Sequence, residues 1–291
     1  ALERLNDGAS VDDILDTVES IGETRKAPTS LFTQLGAVDI SPPSWLVRGL
    51  LEKDSLSCIF GPPGSLKSFL AVDIAASVAS GSTFRGKAVD TGPVAYVAGE
   101  GHSGLRRRFA AWESAHGSLD GAPLFLSSSP VQFGDGESLR PVISALDRIR
   151  DEYGAPKLVV VDTLARCLSG DENSTVDMSS FIQALDTIRT RYNCTILVVH
   201  HSGHAEKGRS RGSSAWVAAL YTELRVEREG DDLRLHATKA KDSEAAQPMQ
   251  WTLHVVPLAL TDDEGETVTS CVLEPVEYVE PSKRSGPTGK H

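Results

Sequence analysis

Gly61-Pro62-Pro63-Gly64-Ser65-Leu66-Lys67-Ser68 lies between a strand-like run, Ser55-Leu56-Ser57-Cys58-Ile59-Phe60, and a helix-like one. In the latter, Phe69, Leu70, Val72, Ile74, Ala75 and Val78 recur at helical spacing until Gly81. A turn between such elements points successive backbone N–H groups inward and aims a helix N-terminus at the same spot, which suits polyphosphate. Lys67 is expected to reach the β- and γ-phosphates of ATP, and the Ser68 hydroxyl to ligate Mg2+. Gly61, Pro62, Pro63, Gly64, Ser65, Leu66 and Phe69 complete the expected nucleotide-binding segment. The pattern G-x-x-x-x-G-K-[ST] has glycine where this chain has Leu66. A leucine can serve there if its dihedrals stay helical and its side chain points away. The competing reading is a glycine-proline turn that happens to precede Lys67-Ser68.

Around this stretch, apolar strands alternate with amphipathic helices, the pattern of an α/β domain with a mostly parallel central sheet flanked by helices. Strands are expected over 56–60, 94–98, 124–127, 157–161 and 194–199, and helices over 67–80, 103–116, 138–152 and 177–191. After residue 215, Leu220 to Glu227, Asp232 to Lys239 and Met249 to Val256 read as antiparallel strands, with Glu229-Gly230-Asp231 as a hairpin turn. Residues 1–40 read as an arm or linker with a small helix, Ser10 capping Val11, Ile14, Leu15 and Val18. The core is expected over 41–260, and 261–291 as a C-terminal strand and a disordered tail.

The 291 residues suffice for one large α/β domain with an appendage, and no apolar run approaches the roughly 20 residues that span a bilayer. The start, Ala1-Leu2-Glu3-Arg4, is polar, carries no secretory signal and lacks methionine, as expected of a processed chain or of a piece of a longer one. The four cysteines are scattered and form neither a disulfide framework nor a zinc pattern, so a cytoplasmic location is expected. A net charge of −11 argues against indiscriminate coating of nucleic acid but leaves room for a local basic channel.

Strand ends supply the candidate chemistry. Leu158-Val159-Val160-Val161 delivers Asp162 to the sheet edge where α/β folds bind ligands, placing it to hold magnesium opposite Ser68. The alternative for Asp162 is a turn cap. Val94-Ala95-Tyr96-Val97-Ala98-Gly99 ends in Glu100, the candidate carboxylate for the attacking water, or else an acid complementing the next helix dipole. Adjacent His200 and His201 cannot face the same way on a strand, and His201 is the candidate γ-phosphate sensor. The basic, glycine-rich stretch 203–214 follows. There Lys207 and Arg209 are candidates for single-stranded DNA phosphates, and Arg211 has a second reading as an arginine finger. Lys239 and Lys241, at period two, read either as inert surface lysines or as a trans-acting pair.

Together these residues resemble the RecA-like P-loop ATPases of the hexameric replicative helicase group, an AAA-type assignment, especially the plasmid-type RepA helicases and their phage relatives. The resemblance covers about residues 41–257. It rests on the loop at 61–68, Gly99-Glu100, Val160-Val161-Asp162-Thr163-Leu164-Ala165-Arg166, His200-His201 and Arg211-Gly212-Ser213-Ser214. It implies Lys67 and Ser68 on phosphate and magnesium, Asp162 on magnesium, and Glu100 as catalytic base. It also implies a homo-oligomeric ring with Arg211, or Lys239 and Lys241, supplied by the neighbour, and a functional arginine at Arg106 or Arg107. Two positions depart from the pattern: Leu66, and the Lys239-Ala240-Lys241 sequence where many ring ATPases pair lysine with arginine. The expected function is ATP hydrolysis coupled to translocation on single-stranded DNA, as a replicative plasmid or phage helicase with a fused or associated primase or other replication domain. The rivals are a recombinase-like ATP-dependent switch, a ring ATPase that handles protein and, last, a small-molecule kinase.

Overall fold

Leu158-Val159-Val160-Val161-Asp162 is buried at every residue, the mark of a strand covered on both faces. The computed structural model describes residues 42–134, 136–202 and 212–280. The expected helix near Val11–Val18, the residues Lys207, Arg209 and Arg211, and the tail from Pro281 lie outside the described residues. Every described helix and strand belongs to the compact unit Pro43–His291.

A small antiparallel pair, β1 (Trp45–Val47) and β2 (Leu51–Glu52), precedes the core. Then come β3 (Leu56–Gly61), α1 (Lys67–Ser80), β4 (Val94–Ala98), α2 (His102–His116), β5 (Leu124–Leu126) and α3 (Gly136–Tyr153). The chain continues through β6 (Leu158–Asp162), α4 (Leu164–Cys167), α5 (Thr175–Tyr192), β7 (Thr195–His201) and α6 (Ser214–Ala219). It closes with β8 (Thr222–Glu229), β9 (Asp232–Ala240), β10 (Met249–Thr261) and β11 (Thr267–Val276). One nine-stranded sheet holds β3 to β11 in the order β11-β10-β9-β8-β3-β7-β6-β4-β5. The long helices and core strands fall within two residues of their expected ends.

One expectation about the sheet needs correcting. β8 is not purely antiparallel: it runs parallel to β3, with Ser57 opposite Thr222 and Phe60 opposite Arg225, and antiparallel to β9. The connection from β7 contains α6, so the chain crosses over before β8 and extends the parallel sheet. Local alternation cannot reveal such a partner. The β8–β9 turn at Gly230, with φ 63°, does follow expectation.

Strand alternation sorts the interior into two layers. Ile59, Tyr96, Val160, Val199 and Val226 pack with α1 on one face. Cys58, Phe60, Val97, Val161 and Val198 pack with α5 and Trp216 on the other. Asp162 shares the parity of Val160, which puts it on the α1 face. α1 is buried nearly all round, and Gly81 in the left-handed region stops it, its N–H donating to Ser77 O at 2.9 Å. Among the described residues no helix is long and apolar enough to cross a membrane.

Candidate functional site

The loop after β3 is fixed by how closely its first residue approaches the sheet. A Cβ on Gly61 would lie 2.3 Å from the Val226 carbonyl oxygen of β8, so only glycine lets both strands keep their course. Gly64 turns the chain at φ +74°. Leu66 overturns the expectation of helical dihedrals: it sits at φ 66°, ψ 18°, in the left-handed region that glycine enters at no steric cost. The backbone path wins over side-chain preference here, at a cost of about 1–2 kcal/mol. The half-buried leucine offsets part of that cost by packing against the α1-side core.

Lys67 is buried at the head of α1. Its Nζ donates to Gly61 O at 3.0 Å, Pro62 O at 2.7 Å and Ser65 Oγ at 3.3 Å. Burial lowers its pKa from 10.5 to about 8, while Asp162 and Cys58 act in the opposite sense. The ammonium is thus aimed into its own loop.

Across the sheet edge, the Tyr96 hydroxyl donates to Asp162 Oδ2 at 2.7 Å. Burial, and then Asp162, push the Tyr96 phenol well above its usual value, so it stays a donor. Ser68, Asp162 and Glu100 line one pocket of about 280 Å³, together with Gly101, Leu105, Arg108 and Thr163. An aliphatic hydroxyl and a carboxylate facing one cavity are hard oxygen donors of the kind magnesium takes alongside phosphate oxygens and water. The donor set fits that ion.

Glu100 ion-pairs with Arg166 of α4, Oε2 to Nε 2.8 Å. The resemblance pointed to Arg106 or Arg107, yet both lie on the exposed side of α2. Arg108 is the arginine that lines the pocket, its guanidinium 4.5 Å above the Phe69 ring. The available signal was helical spacing, because Arg108 follows the buried Leu105 by three residues.

The histidines separate as alternation requires. His200 is buried edge-on to Trp216, ring centroids 6.1 Å apart, in the layer away from α1. His201 pairs with Gly61 across β3 and β7, at the root of the 61–68 loop. Lys239 and Lys241 do not reach this cluster. Lys239 Nζ donates to Val217 O at 2.7 Å at the end of α6, and Lys241 lies 4.4 Å over the Tyr221 ring. A larger groove of about 780 Å³, lined by Tyr96, Phe125, Ser127, Gln132, Ile149 and Arg166 among others, opens near β5 and α3.

Comparison with known proteins agrees with this geometry. A family described as "AAA domain" matches residues 23–207, more than half of the chain. The crystal structure of the RadB recombinase is similar at a TM-score of 0.51 and 19% identity, covering 77% of this chain and 92% of that one. That similarity is one of fold: in this chain a mostly parallel central sheet flanked by helices, of RecA-like architecture, carries antiparallel strands at its C-terminal side.

Proposed function

The chain belongs to the AAA domain family, and we propose that it is a magnesium-dependent ATPase that translocates on single-stranded DNA. In this reading it is a homo-oligomeric ring of hexameric type, acting in the cytoplasm as a plasmid or phage replicative helicase. The observation that carries the catalytic part is the single pocket shared by Ser68, Asp162 and Glu100, which come from three distant stretches of chain.

Backbone N–H groups of Gly64 to Ser68 would cradle the β- and γ-phosphates, and Lys67 would exchange its loop carbonyls for phosphate oxygens. Ser68 and Asp162 would hold magnesium, which when bound neutralises charge building on the transferred phosphoryl group. Glu100 would orient the attacking water and accept its proton. His201, level with Gly61, would register the γ-phosphate and pass its loss to the 203–214 loop. Lys207 and Arg209 of that loop would track DNA phosphates. Lys239 and Lys241 would first have to leave the α6 carbonyl and the Tyr221 ring, which ranks Arg211 ahead of them as the group acting in trans. The core over 41–260 would be the motor and the 1–40 arm the tether to a neighbour, a primase or another replication domain. The C-terminal 261–291 segment would add an edge strand and a tail.

A recombinase-like switch is the second reading, favoured by the similarity to the RadB recombinase structure. ATP hydrolysis should be measured with and without single-stranded DNA at low and moderate salt, together with strand displacement on a forked duplex. The helicase reading expects stimulation that weakens steeply with salt, and displacement. Stimulation without displacement selects the switch. Hydrolysis indifferent to DNA overturns both and leaves a protein-handling ring.

A further inference from the structure

Arg166 touches the hydrolytic site without belonging to the nucleotide-binding machinery. Its Nε lies 2.8 Å from Glu100 Oε2, with the two side chains 61% and 56% exposed. The pair is built in by close packing of two turns. A Cβ on Gly99 would fall 2.4 Å from Arg166 Cβ and 3.3 Å from Cys167 Sγ, so Gly99 makes the room in which the arginine stem crosses toward Glu100. Backbone bonds hold the turns together, Gly99 N–H to Asp162 O at 2.7 Å and Arg166 N–H to Thr163 O at 3.0 Å. Arg166 also lines the 780 Å³ groove, so it has space to occupy when it leaves the carboxylate.

A carboxylate acts as a base through a lone pair directed at water, and a guanidinium at hydrogen-bond distance engages that lone pair. An ion pair this exposed holds its partners only weakly and exchanges readily. We propose that Arg166 is a positioning residue that restrains Glu100, so that hydrolysis runs only in the fraction of molecules whose pair has opened. An anion that draws Arg166 away would then accelerate turnover without touching ATP. This inference rests on the reading of Glu100 as the base.

The test is steady-state ATP hydrolysis without DNA by native protein, Arg166→Gln, Arg166→Met and Arg166→Lys, with Glu100→Gln as control. Methionine keeps the aliphatic stem over Gly99 and covers the case in which glutamine disturbs the turn. The expected result is a kcat two- to five-fold above native for Gln and Met. That is the change allowed by an exposed pair stabilised by up to about 1 kcal/mol. KM for ATP should stay within two-fold, and Lys, which keeps the charge, should return kcat toward native. A kcat for Gln and Met at or below native overturns the restraint. If Glu100→Gln has lost turnover in that case, the base assignment survives and only this inference falls. If Glu100→Gln turns over like native, both fall together.

Discussion

The two turns that bring Ser68 and Glu100 to the 280 Å³ pocket are held very differently. On the loop side, Lys67 is buried, bonded to two carbonyls and a hydroxyl, and backed by a glycine whose Cβ would strike the β8 backbone. On the opposite side, Glu100 stands more than half exposed and is held by one exchangeable ion pair. Rigid packing suits a group that must meet phosphate in a fixed place, because preorganised contacts cost no rearrangement when ligand arrives. Loose pairing suits a group whose engagement is to be controlled. In the proposed reading, binding falls on a tightly constrained turn and hydrolysis on a more adjustable one.

Replacing Lys67 is the harshest way to break that contrast. Lys67→Ala should lower ATP turnover by about a thousandfold or more, measured as phosphate release. Next comes Gly61→Ala, whose methyl meets a backbone atom that cannot swing aside. It should destabilise the domain by about 2 kcal/mol in denaturant titration and weaken ATP binding in step. No such coupling of stability to binding is expected on the Glu100 side.

The pH dependence of binding sharpens the comparison. Burial lowers Lys67 to about 8, and incoming phosphates would favour its charged form again. Below pH 8 the group is already protonated and affinity should be flat. Above it, binding must take up a proton, so affinity should fall by up to about tenfold per pH unit. Calorimetry in buffers of different ionisation heat would detect that proton, and affinity constant up to about pH 9.5 would contradict it. For stability the sign is opposite. An unfolded lysine stays charged up to 10.5, so the burial penalty is full below pH 8 and eases as pH rises from there. The smallest effect is expected at Leu66. Leu66→Gly relieves the left-handed strain but gives up the packed side chain, so unfolding free energy should shift by no more than about 1 kcal/mol.

Much of this was legible because it is local. Helical spacing from Leu70 to Val78, the buried run 158–162 and the turn at Gly230 all write their structure into adjacent residues. Strand parity also separates His200 from His201 before any coordinates are known. What escaped depended on distant partners. The parallel pairing of β8 with β3 is set by the α6 crossover, and the φ of Leu66 by the loop's path between β3 and α1. Arg108 reaches the pocket through its helix face, while Arg166 meets Glu100 through the space that Gly99 leaves. A run of three arginines, 106–108, carries no mark of which one turns inward.

The most direct measurement is ATP binding and single-turnover hydrolysis by Glu100→Gln, side by side with native protein. A division between a rigid binding side and an adjustable hydrolytic side predicts a dissociation constant within about two-fold of native and a hydrolysis rate at least about a hundredfold lower. Loss of binding along with turnover, or hydrolysis at the native rate, would contradict it.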